Sequence, residues 1–216
     1  DNGELRVRDE QLASWPRTPE EIRRHLVDYA AVITGLDHHI GRLMAAIESR
    51  GDQKNTVILF ASDNGLAIGS HGLMGKQNLY EHSARVPLII AGPGIPAGES
   101  PSLTYLFDIY PTLCDLAHIP IPEGLDGISL LPILGDPKKT LRQELLLTYR
   151  HQQRAITTDR WKLILYPPSH RTQLFDLMAD PLEQIDLSPS KDHQETRDQL
   201  FQRLRLLQQQ FADELP

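Results

Sequence analysis

Cysteine is almost missing from this chain of 216 residues: Cys114 stands alone, which excludes an internal disulfide framework. It lies in Leu113-Cys114-Asp115-Leu116, an amphipathic helical context that suits a small core residue better than a nucleophile. Long apolar runs are missing as well. None approaches the roughly 18–20 residues that a membrane span requires, so a transmembrane segment is not expected, and no leader pattern opens the sequence as given. Lys and Arg form no cluster and the net charge is -7, which argues against a nucleic-acid binder, because phosphate contacts need concentrated positive charge. No methionine precedes Asp1. The expectation is therefore a processed, trimmed or partial product, whose compartment cannot be read.

What is present is globular in kind, with 40% hydrophobic and 24% charged residues. The length allows one domain with or without a small appendage. After a polar, irregular opening through Arg17, Thr18-Pro19-Glu20-Glu21 has the form of a helix start, with a capping hydroxyl, a proline suited to the first helical position and a glutamate that completes a capping box. Ile22, Leu26, Tyr29, Ile33, Leu36, Ile40, Leu43 and Ile47 follow at spacings of three and four, predicting a long amphipathic helix that closes at Gly51. His25, His38 and His39 fall on this helix. Adjacent helical residues diverge by about 100°, so His38 and His39 do not make a chelating pair, and all three read as solvated.

The run over residues 56–62 is apolar without polar alternation, predicting a strand covered on both faces in a parallel sheet. It ends in Ser62-Asp63-Asn64-Gly65. A carboxylate and an amide oxygen at a strand mouth suggest a site for a hard metal, because ligands in such sheets bind beyond the carboxyl ends of the strands. Asp-Asn-Gly is equally a tight-turn signal. Further strands are predicted over 86–91 and 103–107, with a helix over 108–117. Pro120, Pro122, Gly124, Gly127 and Pro132 then break regular structure, up to a boundary near 135–140. Beyond it, short strand-like runs over 144–149, 155–158, 161–166 and 172–177, followed by a helix with Leu200, Leu204 and Leu207 on one face, predict a small antiparallel sheet with a terminal helix. Arg150, His151 and Arg154 cluster between two of these strands and read as surface charge or as a patch that would welcome an anionic substrate.

The ordered stretch from Ser62-Asp63-Asn64-Gly65 through His71-Gly72-Leu73-Met74-Gly75-Lys76 to Arg85-Val86-Pro87-Leu88 resembles the formylglycine-dependent sulfatases of the alkaline phosphatase superfamily. The sequence Leu174-Phe175-Asp176-Leu177 with Asp180-Pro181-Leu182-Glu183 is similar to a recurrent ending of that family, in which Asp176 and Asp180-Pro181 read as structural. The resemblance implies an α/β fold. Residues 1–139 would be the C-terminal part of the catalytic domain, a mostly parallel sheet flanked by helices, and 140–216 a small α+β subdomain with an antiparallel sheet and a helix.

By the same resemblance, Asp63 and Asn64 are two ligands of a calcium ion, and Lys76 contacts the sulfate and the leaving-group oxygen. His71 would donate to a sulfate or sugar oxygen, or else pack within its loop. His82 and Arg85 are expected to make structural hydrogen bonds. The family makes its formylglycine nucleophile from a Cys/Ser-x-Pro/Ala-x-Arg segment, and no such segment occurs here. The expected activity is calcium-dependent hydrolysis of a sulfate ester, with a sulfated small molecule or glycan as substrate. This chain would supply only the C-terminal half of the site and would be inactive without an N-terminal part, which is its expected partner. The resemblance is compatible with a periplasmic or secreted protein. A phosphodiesterase or phosphonate hydrolase of the same superfamily, and a non-catalytic calcium-binding module, are the alternatives.

Overall fold

The computed structural model describes residues 6–214. A 3-10 turn, Arg8–Leu12, precedes helix α1, Pro19–Ser49. The Thr18 hydroxyl accepts a hydrogen bond from the Glu21 amide at 3.3 Å, Glu20 and Glu21 complement the helix dipole, and Gly51 leaves the helix at φ +71. No residue of α1 is buried against this chain, and its apolar row stays open to solvent, Leu36 and Leu43 being 49% and 61% exposed.

Strands β1, Ile58–Ala61, and β2, Leu88–Ala91, follow, and they pair antiparallel with Ile58 opposite Ala91 and Ala61 opposite Leu88. The strand after Asn64 therefore does not extend a parallel sheet, and no parallel pair occurs among the described residues. An apolar run encodes cover, not strand direction. Direction is decided here by the intervening segment, which doubles back on itself: Ser62 N donates to Pro87 O at 3.3 Å, Gly65 N to Ser83 O at 3.0 Å and Ala67 N to Gly75 O at 3.0 Å. Neither strand is buried on both faces within this chain. A short helix, α2, Glu81–Ala84, lies in the return limb.

The strand expected over 103–107 does not form. The fully buried Asp108 carboxylate accepts from Tyr105 N at 2.7 Å and turns the chain through a 3-10 turn, Leu106–Asp108, into helix α3, Ile109–Leu116. Asp108 also takes a two-pronged ion pair from Arg142 at 2.6 and 2.8 Å, which ties the second half of the chain to this helix. Within the segment expected to lack regular structure, Pro132 instead sits in the first turn of a short helix, α4, Leu131–Gly135.

The second half is a four-stranded antiparallel meander: β3, Glu144–Tyr149; β4, Gln153–Thr158; β5, Trp161–Tyr166; and β6, Arg171–Asp176. Its alternation sorts side chains cleanly. Leu146, Ile156, Leu163, Leu165 and Leu174 face helix α5, Gln194–Gln210, and pack on Leu200, Leu204 and Leu207. Ala155, Ile164, Tyr166 and Phe175 face the other way and pack on Ala67, Leu73, Leu79 and Tyr80. The sheet is thus a slab between α5 and the long loop that leaves β1.

Candidate active site

That loop, residues 62–87, carries the residues singled out from the sequence. The Asp63 carboxylate is exposed at the mouth of β1, and its Oδ1 accepts from the adjacent Asn64 N at 2.9 Å; the chain only bends here, without the two-residue reach of an Asx turn, so the tight-turn reading of Asp-Asn-Gly is not what forms. Ser62 Oγ donates to Asn64 O at 2.9 Å and Asn64 Nδ2 to Gly65 O at 3.0 Å, which turns the amide oxygen Oδ1 outward. Lys76, twelve residues on, donates from Nζ to that oxygen at 3.0 Å. One amide oxygen and one ammonium therefore meet at the strand mouth, with the exposed Asp63 carboxylate on the adjacent residue. Gly65 is required there, since a Cβ would lie 2.0 Å from His82 O.

Asp63 and Asn64 fit a hard cation as part of its shell. The pair is oxygen-only, and Asn64 Oδ1 already accepts from a positive group. It is short of a complete shell, because calcium takes about six to eight oxygens; among the described residues no group of three or more His, Cys, Asp or Glu is arranged to hold a metal.

His71 sits elsewhere in the loop, at φ +56. Its Nε2 lies 2.9 Å from Glu183 O, and its ring stacks on Tyr80 at 4.0 Å and 7°. A carbonyl can only accept, so the proton is on Nε2 and Nδ1 is left as an acceptor. The packing role is formed, and the expected donation to substrate is not available from Nε2. His82 departs from the expected structural hydrogen bond: its Nε2 is buried without a partner. Burial first, then electrostatic opposition from the His71 and Lys162 side, lowers its pKa to about 4. Arg85 is exposed and reaches Glu81 only at 3.9 Å. Arg154 is not surface charge: it is buried and makes a two-pronged pair with Asp213 at 2.6 and 2.9 Å. His38 and His39 remain exposed with their rings edge to face, whereas His25 is half-buried.

The loop is held from both sides by charged groups that sequence reasoning missed. Lys162 on β5, fully buried, pairs with Glu81 at 2.8 Å and with Glu183 at 2.9 Å, and Glu183 Oε2 accepts from Glu81 N at 2.6 Å. Burial raises the Glu183 pKa, and Lys162 opposes that shift. On the other side, the buried Glu10 carboxylate accepts from Gly75 N at 2.9 Å and Met74 N at 3.0 Å. The partners lie too far apart in sequence for any local pattern to reveal them.

A family model described as Sulfatase matches residues 4–119, and one described as N-sulphoglucosamine sulphohydrolase, C-terminal, matches 69–210. The choline-sulfatase of Rhizobium meliloti is 40% identical over 179 residues, covering 79% of this chain and 34% of its own length. Among solved structures, a protein in complex with its substrate D-glucosamine-2-N,6-O-disulfate is 29% identical at a TM-score of 0.79, covering 90% of this chain and 42% of that one. The phosphonate monoester hydrolase of Agrobacterium radiobacter is 25% identical at a TM-score of 0.78, covering 89% and 43%. The chain spans between 34% and 39% of the length of the first curated relatives it matches.

Proposed function

This chain belongs to the sulfatase family, and from that premise we propose that it supplies the C-terminal half of an active site that hydrolyses a sulfate ester. The observation that carries the reading is the 3.0 Å contact between Lys76 Nζ and Asn64 Oδ1, beside the Asp63 carboxylate. A cation and an amide oxygen meeting at one strand mouth, with a carboxylate on the adjacent residue, suit an anionic, oxygen-rich substrate such as a sulfated glycan or small molecule. Lys76 is the catalytic residue in this reading: its ammonium bears on the ester oxygen and offsets the charge that grows there as the S–O bond breaks. Its compact charge, unlike a guanidinium fork, can follow that oxygen as the bond lengthens.

Asp63 and Asn64 would hold part of the shell of a calcium ion, which when bound would neutralise the sulfate oxygens. The formylglycine nucleophile would come from an N-terminal portion outside this sequence, which would also supply the remaining metal ligands and the mostly parallel sheet. His71 would take a hydrogen bond from a substrate hydroxyl through Nδ1, because Nε2 is held by Glu183 O. Likeness to a phosphonate monoester hydrolase keeps a second reading in view, in which the same cation and oxygen pair serve a phosphonate ester.

Lys76→Ala in the complete enzyme decides between involvement and coincidence. Turnover of an aryl sulfate is expected to fall about 10²–10³-fold, the scale of one lost charge-stabilising donor. Unchanged turnover removes Lys76 from the mechanism, and faster turnover of a phosphonate monoester than of any sulfate ester selects the second reading.

A further inference from the structure

We propose that Glu10 is a positioning residue for Lys76, acting through the backbone of Met74 and Gly75. Its kinetic consequence rests on the sulfatase reading, but its structural consequence does not. The Glu10 side chain is 3% exposed, yet it keeps its carboxylate beside the loop, with Oε1 2.9 Å from Gly75 N and Oε2 3.0 Å from Met74 N. These are the two peptide N–H groups immediately ahead of Lys76. Both are buried, so without Glu10 they would stay unpaired or the loop would have to rearrange to reach water.

Further contacts make this a built clamp. Arg17, itself 5% exposed, sets its guanidinium 3.3 Å from Glu10 Oε2 and also donates to the backbone oxygens of Glu10, Ala13 and Ser14, so the carboxylate is both neutralised and aimed. Gly75 lies so close under the Arg8–Leu12 turn that a Cβ there would come within 2.4 Å of Asp9 Cβ. On the far limb, Gly75 O accepts from Ala67 N at 3.0 Å, and Gly65 N donates to Ser83 O at 3.0 Å, which fixes the Asn64 end of the same loop. The backbone separation between Lys76 and Asn64 is therefore set by a chain of short contacts, and Glu10 is the link contributed by the Arg8–Leu12 turn. A displacement of about 1 Å at a reacting group costs up to about a hundredfold in rate, so the clamp matters for turnover and not only for folding.

Glu10→Asp is one methylene shorter: it keeps the charge and a partner for Arg17 but withdraws the oxygens from Met74 and Gly75. Glu10→Gln keeps one oxygen, at the place of Oε1, 2.9 Å from Gly75 N and 3.3 Å from Met74 N, but turns an amide NH2 toward Met74 N and the buried Arg17. In the complete enzyme, both Glu10→Asp and Glu10→Gln are expected to lower kcat by about tenfold or more with KM within about twofold. In a Lys76→Ala background Glu10→Asp should add almost nothing, because both changes remove the same interaction. Competitive acetylation of the chain, read by peptide mass spectrometry with Lys54 as internal reference, supplies a readout that needs no turnover. Lys76 is expected to react several-fold faster in both Glu10→Asp and Glu10→Gln. Wild-type kcat and wild-type Lys76 reactivity in Glu10→Asp would overturn the clamp, as would a full tenfold loss that persists without Lys76. A shifted Lys76 reactivity in an enzyme whose sulfate turnover ignores Lys76→Ala sinks the catalytic reading and leaves the clamp standing.

Discussion

At His82 a neutral imidazole is held between the ring of His71, 5.4 Å away, that of Tyr80 at 5.7 Å, and the positive field of Lys162. Protonating it would bury a positive charge in a half-buried pocket already facing Lys162, which explains a pKa of about 4. The sign of the linkage follows. The unfolded chain takes a proton near pH 6.5 and the folded chain only near 4, so stability contributed at neutral pH is lost as pH falls between those values. The predicted loss is on the order of 2 kcal/mol, after discounting for the ring's partial exposure. Urea midpoints at pH 7 and pH 4.5 should separate wild type from His82→Gln by that amount; parallel pH dependence of the two would show that His82 does not titrate in this window. At this scale Asp63, Asn64 and Lys76 could be nominated from the sequence because they stand in one ordered motif. The Nε2 bond of His71 was not, since its acceptor, Glu183 O, is 112 residues away.

At the scale of elements, the C-terminal sheet is the platform on which the Lys76 loop rests. Ala155, Ile164, Tyr166 and Phe175 supply its apolar floor, and Lys162, one register step along the same face of β5, supplies a buried cation for Glu81 and Glu183. Lys162→Met would leave two carboxylates facing each other with only the exposed Arg85, 3.9 Å from Glu81, as a counter-ion, an arrangement that costs about 3–5 kcal/mol. The prediction is a drop of that size in the free energy of urea unfolding, with partial recovery in Lys162→Met/Glu183→Gln, where one of the two charges is gone. A single substitution within about 1 kcal/mol of wild type would show that water reaches the cluster and screens it. The four strands of this sheet were legible because turn residues bound each short apolar run. The antiparallel pairing of β1 with β2 was not, because it is fixed by the fold-back contacts of the loop between them. The strand expected over 103–107 failed for a similar reason, as the Asp108 carboxylate captures Tyr105 N and starts a helix.

For the molecule as a whole, α1 presents a row of apolar side chains, among them Leu26, Ile33, Leu36 and Leu43, that this chain leaves uncovered, while Ile89 of β2 is 58% exposed. The spacing in the sequence foretold the apolar stripe but could not say what covers it. A stripe of that length beside a two-stranded sheet with open edges is poor surface for water and good surface for another layer of the same fold. The oxygen pair at the mouth of β1 is unfinished in the same way. Two donors cannot replace the water shell of calcium, which takes about six to eight oxygens, so the chain by itself is expected to bind calcium no more tightly than about millimolar. Isothermal titration checks this directly, and a hydrophobic dye titrated in parallel should report the open α1 face. Coexpression with the proposed N-terminal portion should quench the dye signal and tighten calcium binding together, because the layer that covers α1 would also bring the remaining ligands. Micromolar calcium binding by the 216-residue chain alone, with no dye response, would instead identify a self-sufficient calcium-binding module and remove the reason for assigning it half of a catalytic site.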